Sequence, residues 1–179
     1  KEKLKDGDMV IWIIGISGSG KTTIGKALSK KFKNLKKKTI FIDGDEIRKV
    51  WGDDLGYAIK DRKKNHSRLS KLCKLIAQDD VIVAALSIFV NLRHWNKKNI
   101  PKYYEVLLDT PIDTVIKRDP KSLYAKRNKN KIKELVGIDI KFPKSSSTDL
   151  TINKDKIHTS VNNITNIIFS AIKKRFNVK

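Results

Sequence analysis

Five apolar runs of strand length recur along the 179-residue chain, with stretches between them in which apolar residues return every three or four positions. The runs lie at 10–14 (VIWII), 39–43 (TIFID), 81–87 (VIVAALS), 103–108 (YYEVLL) and 150–153 (LTIN). Helix-period segments lie near 21–32, 45–51, 61–79, 111–118 and 158–175; in the last, Val161, Ile164, Ile168, Ala171 and Ile172 share a face. Strands that are apolar nearly throughout must be covered on both faces, and parallel strands need a crossover as long as a helix. The pattern therefore predicts an α/β fold of three layers, a parallel sheet between two layers of helices. No internal repeat or linker interrupts it, so residues 1–179 are expected to form one domain. The segment 119–148 is the exception: basic, with Asn and Ser and little apolar period. It fits a mobile excursion from the core or an ordinary long surface loop.

Composition narrows the classes. With 39% hydrophobic residues the chain can bury a core, and no apolar stretch is long enough to span a bilayer. The first ten residues, KEKLKDGDMV, are charged and lack the apolar region of a secretory signal, which predicts a cytoplasmic protein. One cysteine, Cys73, cannot form an internal disulfide; with Leu69, Leu72 and Ile76 it shares a helical face, the place of a small core residue rather than a reactive thiol. The net charge of +21 raises the question of nucleic acid or anionic membrane. The 40 basic residues, however, are 33 lysines and 7 arginines amid many Asn and Ile, the skew of AT-rich coding sequence. They are spread along the chain except at 30–38 and 126–133. Base readout favours arginine and aromatic side chains, and aromatics are 7%. Neither nucleic acid nor membrane is the expected partner; a small anionic molecule is.

The chemistry begins after the first strand. Gly15, Ile16, Ser17, Gly18, Ser19, Gly20, Lys21 and Thr22, followed by Thr23, satisfy GxxxxGK[ST] between a predicted strand and a predicted helix, the context that a P-loop requires. Glycines let successive backbone N–H groups face phosphate oxygens, and the helix N-terminus adds its positive end. Lys21 is placed for the β- and γ-phosphates of ATP and Thr22 for Mg²⁺. The next strand ends in FIDGDEIR, which puts Asp43 and Asp45 at the sheet edge where open α/β folds bind ligands. Asp43 can organise Mg²⁺ or take a proton from an acceptor hydroxyl, and Arg48 can hold an anionic acceptor. The plainer reading of DGD is a turn and a helix N-cap.

Beyond these motifs the chain resembles the adenylylsulfate (APS) kinase family of P-loop kinases from about Val10 to Ile152. GISGSGKTT, IDGDEIR, DLGYAIKDRKKN, VIVAALS, YYEVLLDTPIDTVIKRDPKSLY and IKELVGID occur in that family's order. The resemblance implies a P-loop kinase fold, transfer of the γ-phosphate of MgATP to the 3′-hydroxyl of a nucleotide-like acceptor, and a homodimer. It also implies a mobile lid, about 119–148, carrying Arg118, Asp119, Pro120 and Lys121, with Arg118 and Lys121 serving ATP. Carried over by position, Lys21, Asp43 and Ser87 are catalytic, and Thr22 and Asp43 serve the metal. Asp45, Arg48, Asn65, Arg68, Ser87 and Arg93 serve the acceptor.

The departures bear on the acceptor. Where the family has ISP, an aromatic residue and arginine, this chain has LSIFVNLR: Ser87 stays, Ile88 replaces proline, Val90 the first arginine, and Arg93 matches the second. Two phenylalanines that would grip adenine are Tyr57 and Leu135, and the lid arginine position is Asn128 beside Arg127. These changes favour a cytidine nucleotide such as cytidine diphosphoramidate over strict adenylylsulfate. A kinase of polynucleotide ends and a non-catalytic nucleotide-binding subunit are the other readings, the latter opposed by intact Lys21, Thr22 and Asp43.

Overall fold

A computed structural model describes residues 9–52, 54–119, 122–129, 133–153 and 160–178. In chain order these form β1 (Val10–Ile14), α1 (Lys21–Asn34), β2 (Thr39–Asp43), α2 (Gly44–Val50), α3 (Ile59–Ile76), β3 (Asp80–Ala84), α4 (Val90–Asn99), β4 (Tyr103–Asp109), α5 (Ile112–Arg118), α6 (Leu123–Asn128), β5 (Leu150–Asn153) and α7 (Val161–Phe176). The sheet runs β2-β3-β1-β4-β5 with every neighbouring pair parallel, as the apolar runs predict.

β1 is the centre, and all five of its residues are 0% exposed. Strand alternation divides them between two cores. Ile11 and Ile13 join Ile24, Leu28 and Phe32 of α1 and Ile164, Ile168 and Ile172 of α7. Val10, Trp12 and Ile14 join Leu69 and Cys73 of α3 on the opposite face. Cys73 is thus the core residue its helical face predicts, and burial pushes its thiol up to about 12. At about 1.5–3 kcal/mol for each fully buried aliphatic side chain, both cores contribute to holding the sheet between its helices.

Three elements differ from the pattern. The third strand ends at Ala84 rather than at residue 87: its register stops with Ala84 opposite Ile13 and Asp43, and Ala85 N–H makes one further bond to Ile13 C=O. Beyond that the chain turns out, with Ser87 at a left-handed φ of 46°. Helix α4 has no apolar stripe because its inward residues are Arg93 and Asn96, each 0% exposed. The 119–148 segment contains α6 and shares a third core, in which Tyr124, Leu135 and Val136 pack with Ile16, Ile88 and Val115.

Arg93 ties α4 to the rest. Its Nε and Nη2 donate to the Glu105 carboxylate of β4 (3.1 and 2.6 Å), its Nη1 to Pro143 C=O (2.9 Å) and its Nη2 also to Thr148 Oγ1 (2.8 Å). Tyr103 Oη and Ser147 Oγ donate to the same carboxylate. Both ions are fully buried, so the pair is held by complete hydrogen bonding rather than by Coulomb attraction alone. Removing one partner leaves the other charge stranded. Arg93→Met should lower stability by about 3–5 kcal/mol, read as a fall in the urea midpoint. The double variant Arg93→Met/Glu105→Leu should recover much of that loss.

Candidate active site

The loop after β1 is shaped by what its glycines permit. A Cβ on Gly15 would lie 2.8 Å from Leu108 C=O and 2.8 Å from Ser19 Oγ, so no side chain fits there. Gly18 and Gly20 take φ of 79° and 90°, the left-handed region that glycine enters without strain. Gly20 is the N-cap of α1 and has no side chain to cap it, and the positive end of the helix lies at the loop, where it favours an anion. Lys21 Nζ donates to Ile16 C=O at 2.8 Å, folded back onto the loop.

Asp43 closes β2 and caps α2. Its Oδ1 accepts from Asp45 N–H at 2.8 Å, while its Oδ2 accepts from Thr22 Oγ1 at 2.5 Å. One carboxylate therefore takes the helix-cap position and also joins the P-loop helix to the next strand. The hard oxygens of Thr22 and Asp43 suit Mg²⁺. Among the described residues no cluster of three or more His, Cys, Asp or Glu forms a metal cage. A magnesium ion held here would draw its remaining ligands from phosphate and water, as that ion commonly does.

A cleft of about 490 Å³ runs from this loop across the sheet edge. Ser17, Gly18, Gly20, Lys21, Thr22, Thr23, Asp43, Asp45, Arg48, Tyr57, Asn65, Ser87, Arg118 and Leu135 all line it. Gly15 and Ser19 stand behind the loop, both buried. Asn65 Nδ2 donates to Gly44 C=O (3.3 Å), and Ser87 Oγ accepts from Trp12 Nε1 (2.7 Å). Tyr57 is 68% exposed with the Arg48 guanidinium 4.9 Å from its ring centroid, whereas Leu135 is 4% exposed. Asp119 accepts from the N–H groups of Tyr124 and Ala125, which starts α6, and Tyr124 Oη donates to Ser17 C=O at 3.1 Å. Arg127 pairs with Asp139 at 2.7 Å. Pro120, Lys121 and the side chain of Asn128 lie outside the described residues.

Two residues expected at the acceptor are placed elsewhere. Arg93 is sealed in its pair with Glu105. Arg68 binds Asp54 through both terminal nitrogens (2.8 and 2.7 Å), away from the cleft. The hydrogen bonds from Arg68 and then Lys64 hold the Asp54 carboxyl well below the usual carboxylate range. The cation that α3 presents to the cleft is Arg62, which the motif comparison missed. It donates to Tyr57 C=O (2.6 Å) and Glu134 C=O (3.2 Å). Burial first, and then the neighbouring Arg48 charge, lower its pKa. Helical period would have found it: positions 62, 65, 66 and 69 share the inward face, and 68 does not. His66 and Phe89 line the cleft as well.

The chain matches the sequence model of the family described as Adenylylsulphate kinase over residues 7–153. It belongs to the adenylylsulphate kinase family. An adenylyl-sulfate kinase of Clostridium acetobutylicum is 36% identical over 169 residues, covering 92% of this chain and 84% of that protein. A cytidine diphosphoramidate kinase of Campylobacter jejuni is 37% identical over 152 residues, covering 84% and 88%. In structure the chain is similar to the Mycobacterium tuberculosis APS kinase CysC in complex with AMPPNP and APS, with a TM-score of 0.85, 28% identity and coverage of 93% and 98%. Shikimate kinase from Aquifex aeolicus, at TM-score 0.59 and 20% identity, shares the fold. The protein is accordingly an APS kinase-like phosphotransferase acting on a hydroxyl group, of a family that uses ATP as phosphate donor. No helix among the described residues is long and apolar enough to cross a membrane.

For this family member the placement of the two arginines has a measurable consequence. Arg62→Ala should weaken calorimetric binding of an anionic nucleotide acceptor about tenfold or more, because a charge-assisted contact inside the cleft is lost. Arg68→Ala, which removes a partly exposed ion pair, should change it by no more than about twofold.

Proposed function

We propose that this member of the adenylylsulphate kinase family transfers the γ-phosphate of ATP to the 3′-hydroxyl of a nucleotide-like acceptor, with a cytidine nucleotide such as cytidine diphosphoramidate favoured over adenylylsulfate. The observation that carries the acceptor preference is the pair of side chains on the acceptor wall, an exposed Tyr57 and an aliphatic, buried Leu135. Stacking a base on an aromatic ring is worth about 1–3 kcal/mol, so replacing one ring by leucine weakens the grip on a large purine most. The Campylobacter relative supports the same preference by its own activity. Strict adenylylsulfate kinase activity is the second reading, supported by the Clostridium relative.

In this scheme the P-loop N–H groups and Lys21 hold the triphosphate. Thr22 and Asp43 would hold Mg²⁺, which when bound neutralises phosphate charge. Asp43 receives the proton of the acceptor hydroxyl as its oxygen bonds to the γ-phosphorus, and the bond to the β-phosphate oxygen breaks to release ADP. Ser87 positions the acceptor. The segment 119–148 acts as a lid that excludes water which would otherwise take the phosphoryl group, and by family likeness Arg118 and Lys121 serve ATP. By family likeness the working unit is a homodimer.

Asp43→Asn removes the proton acceptor yet keeps an oxygen for the α2 cap. It should leave ATP binding within about threefold and lower kcat about 10²-fold or more. An unchanged kcat removes Asp43 from the mechanism. The deciding experiment is an acceptor panel with MgATP: cytidine diphosphoramidate, CDP, adenylylsulfate and an oligonucleotide. Cytidine diphosphoramidate should give the highest kcat/KM, and Leu135→Phe should shift the ratio toward adenylylsulfate by about tenfold. A wild-type preference for adenylylsulfate establishes the second reading.

A further inference from the structure

We propose that His66 is a specificity-determining residue of the acceptor pocket, where its imidazole hydrogen-bonds an uncharged polar group of the acceptor nucleotide. This assignment rests on the kinase reading above and adds a residue that neither the motifs nor the matching positions supplied.

His66 is 5% exposed and lines the cleft wall with Asn65, Leu69, Ser87 and Phe89. Its ring stands 5.5 Å from that of Trp12 and 6.2 Å from that of Phe89, centroid to centroid. Among the described residues neither Nδ1 nor Nε2 has a hydrogen-bond partner. A polar group buried this deeply is normally satisfied, and two unsatisfied nitrogens on one ring are unusual. Because the ring borders the cleft, a molecule that fills the cleft can supply what the protein does not.

The chemistry of the missing partner follows from the surroundings. Burial, and then the positive charge of Arg93, push the imidazole pKa down to about 3, so at neutral pH the ring is an uncharged group with one donor and one acceptor nitrogen. Trp12, Leu69 and Phe89 make this corner apolar, and a formal charge placed there would be poorly solvated. The acceptor's anionic groups have cations elsewhere on the cleft, Arg48 and Arg62. The group that suits His66 is therefore neutral: an N–H, C=O or hydroxyl of base or sugar. Ser87 stands on the same wall with its oxygen already accepting from the Trp12 indole N–H, so Trp12 positions both side chains.

The test uses the full chain. His66→Phe keeps a ring of similar size and removes both nitrogens; His66→Gln restores one polar position. With cytidine diphosphoramidate and adenylylsulfate as acceptors, His66→Phe should raise acceptor KM about tenfold or more while ATP KM and kcat stay within about twofold, and His66→Gln should recover part of the loss. In wild-type protein the ¹⁵N imidazole resonances of His66 should move when either acceptor or CDP is added, and should not move with ATP alone. That measurement does not depend on the variants folding, which equal urea midpoints would check. If wild type phosphorylates an acceptor while His66→Phe keeps its KM and the resonances stay fixed, the His66 assignment falls and the kinase reading stands; a water then satisfies the ring. If wild type binds and phosphorylates none of these nucleotides, the kinase reading falls and the His66 assignment falls with it.

Discussion

The parallel register around β1 is the constraint from which the site follows. Ile13 of β1, Ala84 of β3 and Asp43 of β2 stand level across three adjacent strands. All three chains run the same way, so they leave the ladder at one edge and at one height. The P-loop after β1, the Asp43–Asp45 turn after β2 and the Ser87 turn after β3 therefore converge without any of them reaching for the others. The 2.5 Å bond from Thr22 to Asp43 is a product of that alignment. So is the cleft, since a parallel sheet leaves a crevice beyond the carboxyl ends of its strands.

Charge is distributed in this molecule by depth. Most of the lysines behind the net charge of +21 are spread along the chain, whereas the cleft uses a few cations under specific restraint. Arg48 and Arg62 stand close enough for one to lower the pKa of the other, and both are braced by backbone carbonyls, those of Gly56 and Tyr57. The two cations repel, and the nearby carboxylates of Glu134 and Asp45 offset part of that repulsion at Arg62. Arg93 shows the opposite arrangement. Fully desolvated, it is matched by Glu105 and a set of hydroxyls, and its work is to fasten α4, β4 and the chain entering β5.

The segment between α5 and β5 is coupled to both halves of the cleft. Tyr124 reaches the P-loop at Ser17, and the carbonyl of Glu134 accepts from Arg62 of α3. Leu135 and Val136 pack on Ile16, the residue whose carbonyl also receives Lys21. The P-loop and this segment thus share a small apolar contact, and α3 is joined to the segment by the Arg62–Glu134 hydrogen bond, so a rearrangement of the segment would be felt at Lys21 and at Arg62 together.

Local patterns determined a large part of this protein. Apolar runs and helical period specify the five strands and the long helices, because backbone pairing and burial act through short-range periodicity. The P-loop and the DGD turn are legible because phosphate binding demands particular residue types at fixed spacing, and membership of the adenylylsulphate kinase family follows from motifs in order. The tertiary structure decided what depends on which way a side chain faces. Helix α4 escaped the pattern because a charged residue, Arg93, lies at its buried face. The choice of Arg62 over Arg68 turns on 100° of helix rotation per residue, which motif matching ignores. The environment of His66 exists only once Trp12 from β1 and Phe89 from the turn after β3 have been brought to it. A sequence carries the period of each element; the contacts between elements, and hence which polar groups are left for a substrate to satisfy, arise only when the elements pack.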